Sequence, residues 1–174
     1  MKPSISRWVT SISLSLAVLS SFSHPAELDD RLAFLEPLIG TEWAGGYVGT
    51  DAPDIRICLR FEPVLDGKAV RYLRVAEAVN FSMETYIFWN PSSQEVRFFN
   101  LDNRGGVGEG IVELRENRIT LHRQDRHSSR NTESKTTFEI DREGTLKDTF
   151  VRMQGGDWVL GHHQEFKPRE ETPR

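Results

Sequence analysis

A single cysteine, Cys58, is present among the 174 residues, so no disulfide can form within the chain. An oxidising compartment would add nothing to its stability by that route. The chain also lacks a run of about 20 apolar residues, the length a membrane-spanning helix needs. It carries no G-x-S-x-G nucleophile elbow, no H-E-x-x-H, no phosphate-cradling glycine loop and no C-x-x-C. The reactions those motifs support are therefore without their usual scaffold. A barrel can still assemble an acid and a base from distant strands, so an enzyme stays open, but a non-enzymatic protein is the stronger expectation. Finally, positive charge is not in surplus: 22 basic residues face 26 acidic ones, a net charge of −4. A general nucleic-acid binder or anionic-membrane binder needs a dominant basic face, so neither is expected.

What is present begins with an address. Lys2 and Arg7 give a positive start, Val9 to Leu19 is a short apolar run broken by serines, and Ser21-Phe22-Ser23 supplies small residues where a signal peptidase reads. Residues 1–23 are expected to be a signal peptide, residues 24–167 a single domain, and residues 168–174 a polar tail. A membrane anchor is the alternative, but the apolar run is only about half the necessary length. Taking Lys2 and Arg7 from the 22 basic residues leaves 20 against 26 acidic, a mature net charge of −6.

From Pro25 to Ile39, Leu28, Leu32, Leu35 and Ile39 recur at helical spacing. Pro25 sits near the first helical position, Asp29 and Asp30 in the early turns, and Pro37 with Gly40 near the end. A short helix with one apolar stripe is expected there, covered by whatever the strands build.

Thereafter the period is two. Ile55, Ile57, Leu59 and Phe61 alternate with Arg56, Cys58, Arg60 and Glu62, the signature of a half-buried strand. Asp66-Gly67 is a hairpin turn, and Asn90-Pro91-Ser92-Ser93 and Asp102-Asn103-Arg104-Gly105-Gly106 break the aromatic-rich centre into a meander. Strands are expected near 43–48, 55–62, 68–77, 81–89, 95–101, 107–114, 118–123, 135–141, 145–153 and 158–166. An open sheet of about ten antiparallel strands would leave two sticky edges. The expected fold is thus all-β: a roughly ten-stranded antiparallel up-and-down barrel, calycin-like or lipocalin-like, with the helix on one end. A two-sheet sandwich is the alternative. Above the ~8 strands whose side chains just fill the interior, a cavity should remain.

The stretch Leu35-Glu36-Pro37-Leu38-Ile39-Gly40-Thr41-Glu42-Trp43, followed by Gly45-Gly46, resembles the L-x-x-L-x-G-x-W-x-G opening of small calycin-type barrels. Phe88-Trp89-Asn90-Pro91, Phe98-Phe99 and Gly105-Gly106-Val107-Gly108-Glu109-Gly110 are similar to the middle of bacterial lipocalin-like domains of unknown function. The resemblance implies a barrel that holds a small molecule. Nitrobindin-type haem barrels share the G-x-W-x-G opening, and that resemblance implies an iron held by a late histidine. Gly161-His162-His163-Gln164 lies in the last strand, although the residues around it depart from that family's pattern.

Candidate site residues follow from alternation. His162 is expected to share an apolar face with Trp158, Leu160 and Phe166, where a neutral imidazole can ligate iron or act as a base; a hydrogen-bonded structural histidine is the alternative. Glu109 stands between Gly108 and Gly110, either a carboxylate inside the cavity against Arg60 or Arg74, or a solvated residue on a bulged strand. The stretch from His122 to Arg130 concentrates positive charge as a mouth loop or a solvated hairpin end; His122 and His127 alone are weak metal candidates.

Trp43, Tyr72, Arg74, Trp89, Glu109 and His162 are expected to line the cavity, with His162 as the metal ligand only if haem is bound. The expected function is an exported barrel, periplasmic or secreted, holding a small apolar or amphipathic molecule. A haem barrel acting on nitrogen oxides or peroxides and a structural or partner-binding envelope protein are the rivals. Strands 81–89 and 95–101 are apolar on both faces, so the helix, a partner subunit or a membrane-like surface should cover the outer one, and of these a homodimer through that wall is expected.

Overall fold

The computed structural model describes residues 27–49, 51, 53–124 and 133–169. The expected signal peptide, Pro25, His127, most of the basic stretch and residues 170–174 of the tail lie outside that range. The described strands are β1 (Glu42–Tyr47), β2 (Ile57–Val64), β3 (Ala69–Ala76), β4 (Phe81–Asn90), β5 (Glu95–Asp102), β6 (Val107–Arg115), β7 (Arg118–Gln124), β8 (Glu133–Ile140), β9 (Leu146–Gln154) and β10 (Asp157–Pro168). Each pairs antiparallel with the next, and β1 pairs with β10, from Trp43 opposite Pro168 to Tyr47 opposite Gln164. The ten strands therefore close into an up-and-down barrel, and the sandwich alternative is excluded.

Alternation decides what faces in. On β2, Ile57, Leu59 and Phe61 are buried while Arg60 is exposed. On β3, Val70, Tyr72, Arg74 and Ala76 are buried. Phe61 stacks on Tyr72 at 4.6 Å, and Phe138 meets both edge-on at 5.8 and 5.4 Å. Side chains of this kind contribute about 1.5–3 kcal/mol each on burial, with something further from ring geometry.

The N-terminal helix differs from expectation. It runs Asp30–Leu38 as a 3-10 helix capped by Asp29, not from Pro25. At three residues per turn, Leu32, Leu35 and Leu38 fall on one line, and all three are buried in the core. This helix plugs one end of the barrel and is tied at both of its own ends. At its start, Asp29 N–H donates to Gly67 O at 3.0 Å, and the Asp29 carboxylate accepts from Arg31 Nε at 2.7 Å and Lys68 Nζ at 3.4 Å. Gly67 has φ +76°, and a Cβ there would lie 2.0 Å from Glu27 O, so this turn admits only glycine. At its finish, the Trp43 indole donates to Leu38 O at 3.2 Å, and Ile39 bridges to Phe61. No helix among the described residues is long and apolar enough to cross a membrane.

Outside, Glu42, Arg60, Glu62 and Arg71 form a row of ion pairs across β1, β2 and β3, with Arg60–Glu42 at 2.7 Å and Arg71–Glu62 at 2.6 Å. Arg60 is thus an outer-face residue and no partner for a carboxylate in the interior.

Candidate functional site

The barrel end opposite the helix is where polar side chains enter the interior. Tyr72 and Arg74 come from β3, Thr85 from β4, Asn100 from β5, Arg123 from β7, Ser134 and Thr136 from β8 and His162 from β10; with Met83, Phe98, Leu121 and Phe150 they enclose a cavity of about 180 Å³. A second hollow of about 260 Å³, lined by Tyr47, Ile57, Ala76, Phe81 and Arg104 among others, shares Arg74, Met83 and His162 with the first. Those three residues border both spaces.

Local sequence explains why there is room. Gly108 and Gly110 occupy inward positions on β6. A Cβ at Gly108 would fall 2.3 Å from Asn100 Oδ1 and 2.8 Å from Arg123 Nε. The absent side chain is what lets those two groups cross the inner face of the strand. On β10, Leu160 pairs with Val151 and His162 with Phe150, so Gly161 is an inserted residue, a bulge. A Cβ at Gly161 would lie 2.4 Å from the Phe150 ring.

The bulge corrects the expected grouping of His162. Trp158 and Leu160 point away from the interior, exposed to 40% and 60%, whereas His162 turns inward in phase with Gln164 and Phe166. Outside, Lys135 Nζ sits 4.4 Å over the Trp158 ring.

Behind the cavity wall lies an ion pair that sequence reading missed. Asp148, fully buried on β9, accepts from Arg74 Nη2 at 3.0 Å, and the same nitrogen donates to Gln164 Oε1. Burial works against the Arg74 charge, but the Asp148 carboxylate beside it favours that charge, and the guanidinium is held above its ordinary pKa. Burial also pushes the Tyr72 phenol up, so it remains a neutral O–H at any ordinary pH. The usable signal was a polar residue on the apolar phase of a strand: Asp148 shares its face with Leu146 and Phe150, as Gln164 does with Phe166.

Several buried polar atoms here have no hydrogen-bond partner within the protein: Tyr72 Oη, Thr85 Oγ1, Asn100 Oδ1 and His162 Nε2 on the wall, with Asp148 Oδ1 and Gln164 Nε2 behind it. An unmet buried polar group costs about 1–3 kcal/mol. Six in one half of a barrel are a concentration that packing alone does not explain.

Of the six expected lining residues, the structure brings Tyr72, Arg74 and His162 together. Trp43 and Trp89 belong to the plugged end: Trp43 caps the helix, and Arg31 lies 5.0 Å over the Trp89 ring. Glu109 is corrected outright. It is exposed on the outer face of β6 opposite Phe99, because the inward phase of that strand is Gly108, Gly110 and Val112.

The surroundings of His162 do not fit an axial haem ligand. Its Nε2 is buried and faces Asp148 Oδ1 at 3.5 Å, its ring stacks on Phe150 at 5.1 Å, and Tyr47 meets it edge-on at 5.8 Å. A proximal histidine needs that nitrogen directed at open space for the iron. His163 turns outward, with Nδ1 3.0 Å from Thr149 Oγ1. His122 lies beside Glu133 at 3.5 Å, and among the described residues no three potential ligands gather to hold a metal ion.

A surface hollow of about 520 Å³ lies outside the wall over β1 to β3. Its charged lining is largely spent on itself, since Glu42 pairs with both Arg60 and Arg169, which hold its carboxyl below the usual range. Cys58 borders it, partly exposed and unpaired. Compared with models of known families and with curated proteins, the chain matches none.

Proposed function

We propose that this protein is an exported, calycin-type carrier that takes a small amphipathic molecule into the open half of its barrel. The observation that carries this reading is the cluster of unpartnered polar atoms on Tyr72, Thr85, Asn100 and His162 around a cavity of mixed lining. Small-molecule sites combine an apolar wall with a few convergent polar groups in this way. Met83, Phe98, Leu121 and Phe150 supply the apolar wall. Export rests on the charged start and short apolar run of residues 1–23. A second copy of the chain against the outer wall of β4 and β5, where Phe99 and Leu101 are exposed, belongs to the same proposal; sedimentation as a strict monomer at tens of micromolar removes that part alone.

Native mass spectrometry of protein purified from its own host tests the central reading. The expected result is a bound mass that departs on denaturation. Protein that carries no such mass, and that takes up no environment-sensitive apolar dye, overturns it.

A further inference from the structure

The unmet hydrogen bonds also say which kind of head group the guest carries. Building on the binding function proposed above, we infer that the guest buries an uncharged head, a hydroxyl or a primary amide, that both donates and accepts hydrogen bonds. Both arginines on the wall of the inner cavity are already engaged. Arg74 is paired with Asp148 and Gln164, and Arg123 donates to Val107 O. Three of the wall groups with nothing to bond carry no charge. Tyr72 offers a phenolic proton, Thr85 offers and accepts, and Asn100 presents its carbonyl because its amide nitrogen is turned to Met83 Sδ at 3.3 Å. Ser134 and Thr136 add two more hydroxyls to the same wall.

Matching that inventory excludes both ions. A carboxylate only accepts, so it leaves Asn100 Oδ1 unanswered, and it adds a charge beside a guanidinium already neutralised by Asp148. An ammonium only donates, so it leaves the Tyr72 proton unmet, and it brings a charge beside the Arg74–Asp148 pair with no carboxylate left to answer it. A hydroxyl or amide answers donors and acceptors and carries no charge into a low-dielectric site. The space sets the scale of the rest: at about 30 Å³ per water-sized group, hollows of 180 and 260 Å³ hold roughly fifteen non-hydrogen atoms. The head then sits between Tyr72, Thr85 and Asn100, and a chain of about ten carbons runs past Met83 towards Phe81 at the mouth.

Titration calorimetry at pH 7.5 with 1-decanol, decanoate and decylammonium varies the head on a constant tail. The expected result is 1-decanol binding at least tenfold tighter than either ion. Thr85→Val and Tyr72→Phe should each weaken 1-decanol about fivefold, the effect of losing one hydrogen bond, and leave the weak binding of the ions unchanged. Decanoate or decylammonium binding as tightly as 1-decanol overturns the inference while leaving the carrier function standing. So does 1-decanol that binds both variants as it binds the wild type. No binding by any of the three removes the inference and the carrier function together.

Discussion

The two ends of this barrel are built on opposite rules. At the helix end, Leu32, Leu35 and Leu38 pack against the Phe61, Tyr72 and Phe138 rings, and the polar groups present have partners: the Trp43 indole on Leu38 O, Asp29 on Arg31 and Lys68. At the other end, Thr85, Asn100 and His162 are left unmet, and apolar Val48, Val79, Val107 and Leu160 are exposed around the mouth. Hydrophobic burial is stabilising and unmet polar burial is destabilising, so one end supplies the stability that the other consumes. Tyr72 belongs to both, its ring stacked in the core and its hydroxyl in the cavity.

Substitutions should separate the two ends by sign as well as size. Leu35→Ala, at a fully buried helix position, should lower stability by about 2–5 kcal/mol in urea titration and leave binding at the far end within about twofold. A comparable loss of binding would break the division. Thr85→Val and Tyr72→Phe should do the reverse, raising stability by about 1 kcal/mol each by removing an unmet hydroxyl, with the loss of affinity described above. A fall in melting temperature for both would show those hydroxyls to be structural. This is the pattern of a site that exchanges stability for function.

The smallest effect belongs to the helix tie. The hydrogen bond from Arg31 holds the Asp29 carboxyl far below its ordinary value of 3.8. A depressed carboxyl contributes stability that is present above the ordinary value and lost as pH falls towards the folded one. Wild type should therefore exceed Asp29→Asn modestly at neutral pH, and the difference should shrink as the pH drops below 3.8. Equal stability at pH 7 would show that the backbone bond to Gly67 O, not the carboxylate, holds the helix in place.

How much of this was legible depends on how many side chains vote. The alternation from Ile55 to Phe61 was plain because each position is either clearly apolar or clearly charged, and ten such runs with short turns left closure as the way to cover both edges. On β6 the inward phase is partly glycine, which casts no vote, so Glu109 could be read on either face. Trp43 and Trp89 were assigned the correct face, but alternation carries no information about height along the barrel. His162 reached the expected interior for a reason no simple alternation contains, the extra residue at Gly161. The helix start was obscured by Pro25, a strong signal upstream of Asp29, the residue that provides the cap. Asp148 and Gln164 stood on apolar phases where a polar residue should itself have raised the question of a partner.

The seam between β1 and β10 sets the order in which the molecule can assemble. Nine hairpin contacts join neighbours along the chain, whereas Arg169 reaches Glu42 across 127 positions. Loop-closure entropy makes such a distant ladder slow to form. Until it does, the first and last strands of a nearly finished sheet stand uncovered, and an intermediate with two bare edges is the species most prone to join with its own kind. The residues on that seam thus govern the yield of soluble protein more than the depth of its final energy well.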